Sequence, residues 1–550
     1  MKTSIENKVE KKLHSRNFTK FGLDINPIVS IASGAIIFIF ALYAFFNLDG
    51  ANKLFESIKN IITTKTDWVF ILSSNLFIIA CLFLAFSKLG KVRIGGVNCK
   101  PEFSNFAWYS MLISGGMGIG LMFWSVGEPL YHSMIRPPIF KSPNAVSSAL
   151  ATTFFDWGLH PWAIYAIMSL SLAFFAYNKN LPLSLRSVFY PILKDKIFGI
   201  WGDIIDILAV IACLVGLATS LGLGVQQINS GLTYLFNINS SILIQIVLIA
   251  IITGIATLSV ISGIDKGVKF LSEITMKMAL VFMVAVLLIG PTSYIIRTFS
   301  NSLGLYINDF VKSAFFISMD GSSWQGTWPI FYIAWWISCS PFVGMFIARI
   351  SKGRTIREFV LAVLIVPSLL SFLWLSVFGG TSIYINNITN GSLFEVVKNK
   401  LPVALFEMIN NLNTPFLAGS IKILLSIVGI LLVIFFFVTT SDSGSLVVDS
   451  ITTGGKLDSP VGQRVFWACI EGFIATVLLL IGGEKALTTL QTAVISTGLP
   501  FAILLSIMSI VLITSVKKSY AKQQKVKEIK LYKRFDEFKD SEDFEEKNLA

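Results

Sequence analysis

Apolar residues in this chain come in unbroken stretches of about twenty, the length that carries a helix across a bilayer. Such stretches have no place on the surface of a water-soluble domain, and they predict an all-α integral membrane protein. Twelve are read near residues 27–47, 68–89, 106–128, 147–175, 205–233, 242–262, 270–293, 324–348, 359–380, 416–447, 465–482 and 487–515. Composition agrees: 54% of residues are hydrophobic and only 14% charged, where soluble domains are nearer a quarter charged.

The net charge of +12 raises the question of nucleic acid, and its placement answers it. Lys88, Lys91, Arg93 and Lys100 fall in one connection, Lys179, Arg186, Lys194 and Lys196 in the next on that side, and Arg349, Lys352, Arg354 and Arg357 in a later one. The loop 48–67 balances three lysines against three acids, and 234–241 carries no charge. By the positive-inside rule both termini are expected on the cytoplasmic side, with no nucleic-acid partner. The first apolar stretch follows too long a polar segment for a cleavable signal peptide. Cys81, Cys99, Cys213, Cys339 and Cys469 show no paired spacing, so neither disulfides nor zinc are expected.

Two stretches are poor lipid-facing helix. One is SGGMGIG (114–120), and the other is WWISCSPFVGMFIARISKGRTIREF (335–359), where two indoles precede Ser338-Cys339-Ser340-Pro341. Small polar residues and a proline line a cavity better than they fill lipid, and Ser-Cys-Ser-Pro is expected to break its helix. Met117 and Ser340 are 223 residues apart, and Thr219-Ser220 precedes Thr440-Ser441 by 221. Broken helices in matching places point to an inverted-repeat transporter. The expected units are a segment 1–26, two additional helices in 27–104, a first five-helix repeat in 105–296, an amphipathic connecting helix at the outer face in 297–323, a second repeat in 324–515 and a tail 516–550. In the tail, Lys517 to Arg534 holds eight basic residues against Glu528 alone, while 535–550 holds seven acids and two lysines. A cytoplasmic helix is expected there, either an ordinary topological flank or a sensor of anionic lipid.

The fourth stretch reads FFDWGLHPWAIYAIM. On a helix Trp162 and Tyr165 lie about 60° apart, on one face, and a kink at Pro161 would bring in Trp157. With Trp336 these rings would form a box whose faces attract a quaternary ammonium, worth ~2 kcal/mol or more when desolvated. The competing reading is an interfacial aromatic belt, but Trp157 and Trp162 fall ten and fifteen residues into their stretch, deep for a belt.

The words GMGIGLMFWSVGEPLYH (116–132), WGLHPWAIY (157–165), the 335–359 stretch and TTSDSGS (439–445) closely resemble the betaine/choline/carnitine transporter (BCCT) family, over nearly all twelve stretches. The resemblance implies a five-plus-five (LeuT-like) fold, a homotrimer, and an ammonium box at Trp157, Trp162, Tyr165 and Trp336, with Trp335 on the route to it. The chain departs from the pattern at Cys339, where a third tryptophan is expected. That widens the outer pathway and admits a bulkier or sulfur-bearing onium.

Gly115, Gly116, Gly118 and Gly120 would let the backbone unwind beside a ligand, or simply let helices approach closely. Freed N–H groups favour a carboxylate. With no Asp or Glu in this stretch, a zwitterion such as glycine betaine fits better than choline. Substrate contacts are therefore expected from Gly116, Met117, Gly118 and Gly120 as well as from the box and Cys339. Sodium is a hard cation that takes oxygen ligands. By resemblance Thr439 and Thr440 would supply hydroxyls, with Ser114, Met117 and Phe436 supplying carbonyls. Thr219, Ser220, Tyr165 and Phe342 would make a second site, although a lone Ser or Thr in a span commonly bonds its own helix. Proton coupling is the rival, through Asp156, His160, Glu128 or Asp442, with Glu128 and Asp442 also suited to structural pairing and His160 to holding a carbonyl. Three histidines, one of them expected within the membrane, assemble no catalytic set, and no enzyme is expected. The expected activity is sodium-coupled import of an onium osmolyte, with no cofactor beyond the coupling ion. The alternatives are proton-coupled import of choline or dimethylsulfoniopropionate, and a carnitine-type exchanger.

Overall fold

The structure, a computed structural model, describes residues 4–116, 118–262, 267–319, 323–412, 418–456 and 459–549. Among these, eleven helices are long and apolar enough to cross a membrane. The third expected span is instead two shorter helices, Asn105–Gly116 and Ile119–Met134, which meet at an extended Gly118. The break falls in the glycine stretch 114–120, and this pair stands apart from the eleven.

The fourth span also differs from expectation. It divides at Gly158, into Ala145–Trp157 and Leu159–Ala173, and not at Pro161. A β-carbon at Gly158 would lie 2.5 Å from the Phe154 carbonyl oxygen and 2.6 Å from the Phe372 ring, so only glycine fits there. Pro161 falls in the first turn of the second piece, where its missing N–H leaves no gap.

The eighth span makes the opposite correction. Pro329–Ile350 runs unbroken through Ser-Cys-Ser-Pro. Pro341 cannot donate to the carbonyl of Ile337, but the Ser340 hydroxyl does so instead, at 2.7 Å. A serine hydroxyl that satisfies the freed carbonyl keeps a proline-containing membrane helix continuous.

The loop 48–67 holds the helix Leu48–Lys65, capped by Asn47, whose Asn52 donates to the Ile481 carbonyl at 2.8 Å. The connecting helix begins at Thr292 and ends at Ala314, earlier at its start than expected. It lies along Ala145–Trp157 and Ile356–Ile388. The final span and the tail form one helix, Ala486–Leu549.

At the end of the bundle that carries both termini, basic loop residues act as clasps. Arg354 lies over the Trp108 ring at 4.5 Å and donates to Asn105 and to the Phe103 carbonyl. Arg357 donates to the Ala85 carbonyl at 2.8 Å. Arg186 is fully buried, paired with Asp203 at 3.1 Å and bonded to Asp206. Arg16 takes both oxygens of Asp203 at 3.0 and 2.8 Å, and Lys456 pairs with Asp24. The segment before the first span is thereby tied to the start of Ile200–Phe236 and the end of Ala418–Thr452.

Candidate functional site

The helices Ala145–Trp157, Leu159–Ala173, Ile200–Phe236, Pro329–Ile350 and Ala418–Thr452 surround a cavity of about 140 Å³ beside the glycine break. Its upper part is aromatic. Trp336 meets Trp157 edge to face at 5.2 Å between ring centroids and Tyr165 likewise at 5.5 Å. Trp335 stacks on Trp336 at 5.9 Å and on Phe331 at 5.5 Å. The Trp335 indole N–H donates to the Ser220 hydroxyl at 3.2 Å, bridging Pro329–Ile350 to Ile200–Phe236. Beyond it Trp124, Trp328, Phe331 and Tyr332 pack against one another and close that half of the bundle. From the rings the cavity runs past Phe342, Val343 and Phe346 toward Ser272 and Ser443, the half that carries the termini. No Asp, Glu, Lys or Arg lines it among the described residues.

Seven of the expected substrate residues line this space: Trp157, Tyr165, Trp335, Trp336, Cys339, Gly118 and Gly120. Trp162 is fully buried beside Tyr165, at 5.5 Å edge to face, and is not among the lining residues. Tyr165, on the same helix piece, takes the position that faces the cavity. Gly116 ends the first half of the broken helix, and Met117 lies outside the described residues.

Of the first expected sodium set, Phe436, Thr439 and Thr440 line the cavity. Thr439 donates to the carbonyls of Phe435 and Phe436 at 2.9 and 3.1 Å, so its hydroxyl proton is committed and only its lone pairs are left for a ligand. Met117 is outside the described residues, as is the side chain of Ser114. The second set divides. Ser220, Tyr165 and Phe342 line the cavity, whereas Thr219 is turned to the Leu490 carbonyl at 3.4 Å.

The ionisable residues also sort themselves. Asp442 accepts from Ser259 at 2.8 Å. The carbonyl that His160 meets is the side-chain one of Asn75, at 3.1 Å. Both His132 and His160 are fully buried. Sequence reasoning passed over Tyr332, whose hydroxyl donates to Glu128, and Glu471, which accepts from Ser441 at 3.0 Å. An acid in the middle of WACIEGFIATVL is a visible signal, since buried charge in a span is costly and seldom idle.

Gly120 has a definite steric reason. A β-carbon there would fall 2.6 Å from the tip of Trp335 and 2.9 Å from that of Trp157. Overpacking of this kind costs about 1–3 kcal/mol unless the rings move. Gly120→Ala is therefore expected to lower uptake by on the order of tenfold, with the melting temperature nearly unchanged. Wild-type uptake in that variant would show that the indole tips are free to swing away.

Apolar spans around an aromatic cavity define a membrane carrier for a small molecule. A family model described as BCCT, betaine/carnitine/choline family transporter, matches residues 28–521. Glycine betaine transporter 1 of Vibrio parahaemolyticus serotype O3:K6 (strain RIMD 2210633) is 46% identical over 509 residues, covering 91% of this chain and 95% of that one. A glycine betaine/proline/choline/ectoine transporter of the same strain is 44% identical, covering 91% and 89%. A glycine betaine transporter of Acinetobacter baylyi (strain ATCC 33305 / BD413 / ADP1) is 40% identical, covering 94% and 76%. The chain belongs to the BCCT family. Its family and relatives are membrane transporters and not enzymes.

Proposed function

We propose that this chain is a secondary transporter that imports an onium osmolyte, glycine betaine first among them, by sodium-coupled alternating access. The observation that carries the reading is a cavity with Trp157, Tyr165 and Trp336 converging at one end, no charged side chain in its lining and a glycine break beside it. Ring faces suit a trimethylammonium, and freed amides at Gly118 and Gly120 suit a carboxylate, so a zwitterion matches both ends. The names of the relatives, glycine betaine above all, support the same substrate class.

Sodium is assigned to the hydroxyl-rich side of the cavity. Thr439 and Thr440 with the Phe436 carbonyl form one group, and Ser220 with Tyr165 and Phe342 the other. Ser220 and the Thr439–Thr440 pair come from helices that match in the expected inverted repeat, Ile200–Phe236 and Ala418–Thr452, which pack together. That supports the five-plus-five reading. Packed rings fill the aromatic half, and the cavity runs on toward the half with the termini, the arrangement an inward-facing carrier would have. On this reading both termini are cytoplasmic, the membrane is a bacterial inner membrane and the assembly is a trimer.

The test is uptake of labelled glycine betaine into proteoliposomes under an inward sodium gradient, with potassium substituted in parallel. Uptake is expected in sodium and at background in potassium, and Thr440→Val is expected to lose the dependence. Equal uptake in both cations would remove the sodium assignment.

A further inference from the structure

Behind the box, away from the cavity, three titratable side chains meet in a fully enclosed space. Glu128 and His132 are one helical turn apart on Ile119–Met134, and Asp156 directly precedes Trp157 on the neighbouring helix. One oxygen from each acid and one ring nitrogen all lie within 4.8 Å of one another. Glu128 and His132 are 0% exposed and Asp156 is 3% exposed. Glu128 Oε2 accepts from the Tyr332 hydroxyl and from the Trp157 indole at 2.9 Å. Yet Glu128 Oε1, Asp156 Oδ2 and both nitrogens of His132 have no hydrogen-bond partner.

No fixed positive charge answers these acids among the described residues. The ion pairs there all lie elsewhere. Pro329–Ile350 contributes Tyr332, and Leu159–Ala173 contributes His160, which is turned to Asn75. The connecting helix contributes Tyr306, stacked on Phe140. Ile356–Ile388 and Ile200–Phe236 present the neutral Ser382 and Gln227. Glu395 and Lys398 are exposed, and Glu407 is held by Asn411.

Two enclosed carboxylates without a counter-charge cannot both stay ionised at small cost. A proton resolves the arrangement, because it needs no added space and turns one acceptor into a donor for its unpartnered neighbours. A metal ion fits less well, since only three side chains offer ligands and Glu128 Oε2 already serves two donors. The cluster also holds the box directly. Glu128 takes the Trp157 N–H, and the Asp156 carbonyl takes that of Trp336 at 3.0 Å. Charge here sits one indole behind the space that an onium would fill.

We propose that Glu128, Asp156 and His132 form a proton-binding site, and that its proton is released when an onium cation occupies the aromatic box. The proposal rests on the box reading given above. The two cations draw on the same negative charge and so compete. An onium therefore binds more tightly as pH rises through the titration of the cluster, by roughly tenfold for one elementary charge at this range.

The experiment uses the full chain, purified in lipid nanodiscs at fixed sodium chloride. Tryptophan fluorescence reads glycine betaine binding from pH 6 to pH 9, and a pH-indicator dye in weak buffer reads proton movement on binding. The expected result is a dissociation constant falling roughly tenfold toward alkaline pH, with proton release on binding. In Asp156→Asn or Glu128→Gln both the pH dependence and the release should shrink. Wild-type affinity that is flat across pH with no dye signal, or proton uptake in place of release, overturns the proposal without needing any variant. A chain that binds no betaine at any pH overturns the box reading, and this proposal with it.

Discussion

Trp336→Ala is expected to weaken glycine betaine binding by roughly thirtyfold and to bring uptake close to background, since a desolvated cation–π contact is worth ~2 kcal/mol. Trp336 is the common member of the box, meeting both Trp157 and Tyr165 edge to face and stacking on Trp335. Its removal takes away one ring face and the support of two others. It also deletes the N–H bond to the Asp156 carbonyl. Trp336→Phe separates these effects, because it keeps a face and loses the N–H, and an intermediate affinity is expected. Titration by tryptophan fluorescence and isotope uptake reads both variants. Wild-type affinity in Trp336→Ala would mean that the onium sits elsewhere.

The second large effect concerns stability. Arg186→Ala leaves Asp203 and Asp206 buried, with Arg16 as the one remaining cation paired to either among the described residues. Breaking a buried pair by removing one partner costs ~3–5 kcal/mol, because the other charge is stranded in a low dielectric. A clearly lower melting temperature is expected in detergent. Arg186→Lys should recover only part of the loss, since an ammonium does not reproduce the fork that reaches Asp203, Asp206 and the Ile197 carbonyl. Removing the charges together, as Arg186→Met with Asp203→Asn and Asp206→Asn, should cost less than Arg186→Ala alone. A melting temperature unchanged in Arg186→Ala would show that water reaches the two acids.

Arg186 illustrates how much of the chain was legible beforehand. As one of several basic residues in a loop it marked a side of the membrane, which needs only counting along the chain. That it is buried, and held between two acids of the following span, depends on how Ile200–Phe236 folds back over Leu185–Val188. The aromatic box divides in the same way. Trp157, Tyr165 and Trp336 carried a chemical signal, large rings too deep for a belt. Trp162 carried the same signal and lies outside the cavity lining. Residue type and depth were alike for the tryptophans, and only the packing of the helices decided which of them faces the cavity.

The sequence by itself determined what depends on residue type and on distance along the chain. That includes the apolar lengths, the charge of the loops, the glycine stretch at 114–120, and the motifs that place the chain in its family. Those features are local, since hydrophobic transfer and backbone freedom are properties of a segment before it meets any neighbour. Only the tertiary structure decided the directions in which side chains point. It turned Thr219 to the Leu490 carbonyl, let the Ser340 hydroxyl keep the helix at Pro341 whole, and brought Glu128, His132 and Asp156 into one enclosed space. Each of these depends on which polar group a neighbouring helix offers. A buried donor or acceptor must find its partner across the packed interface, and no pattern within its own segment specifies where that partner will be.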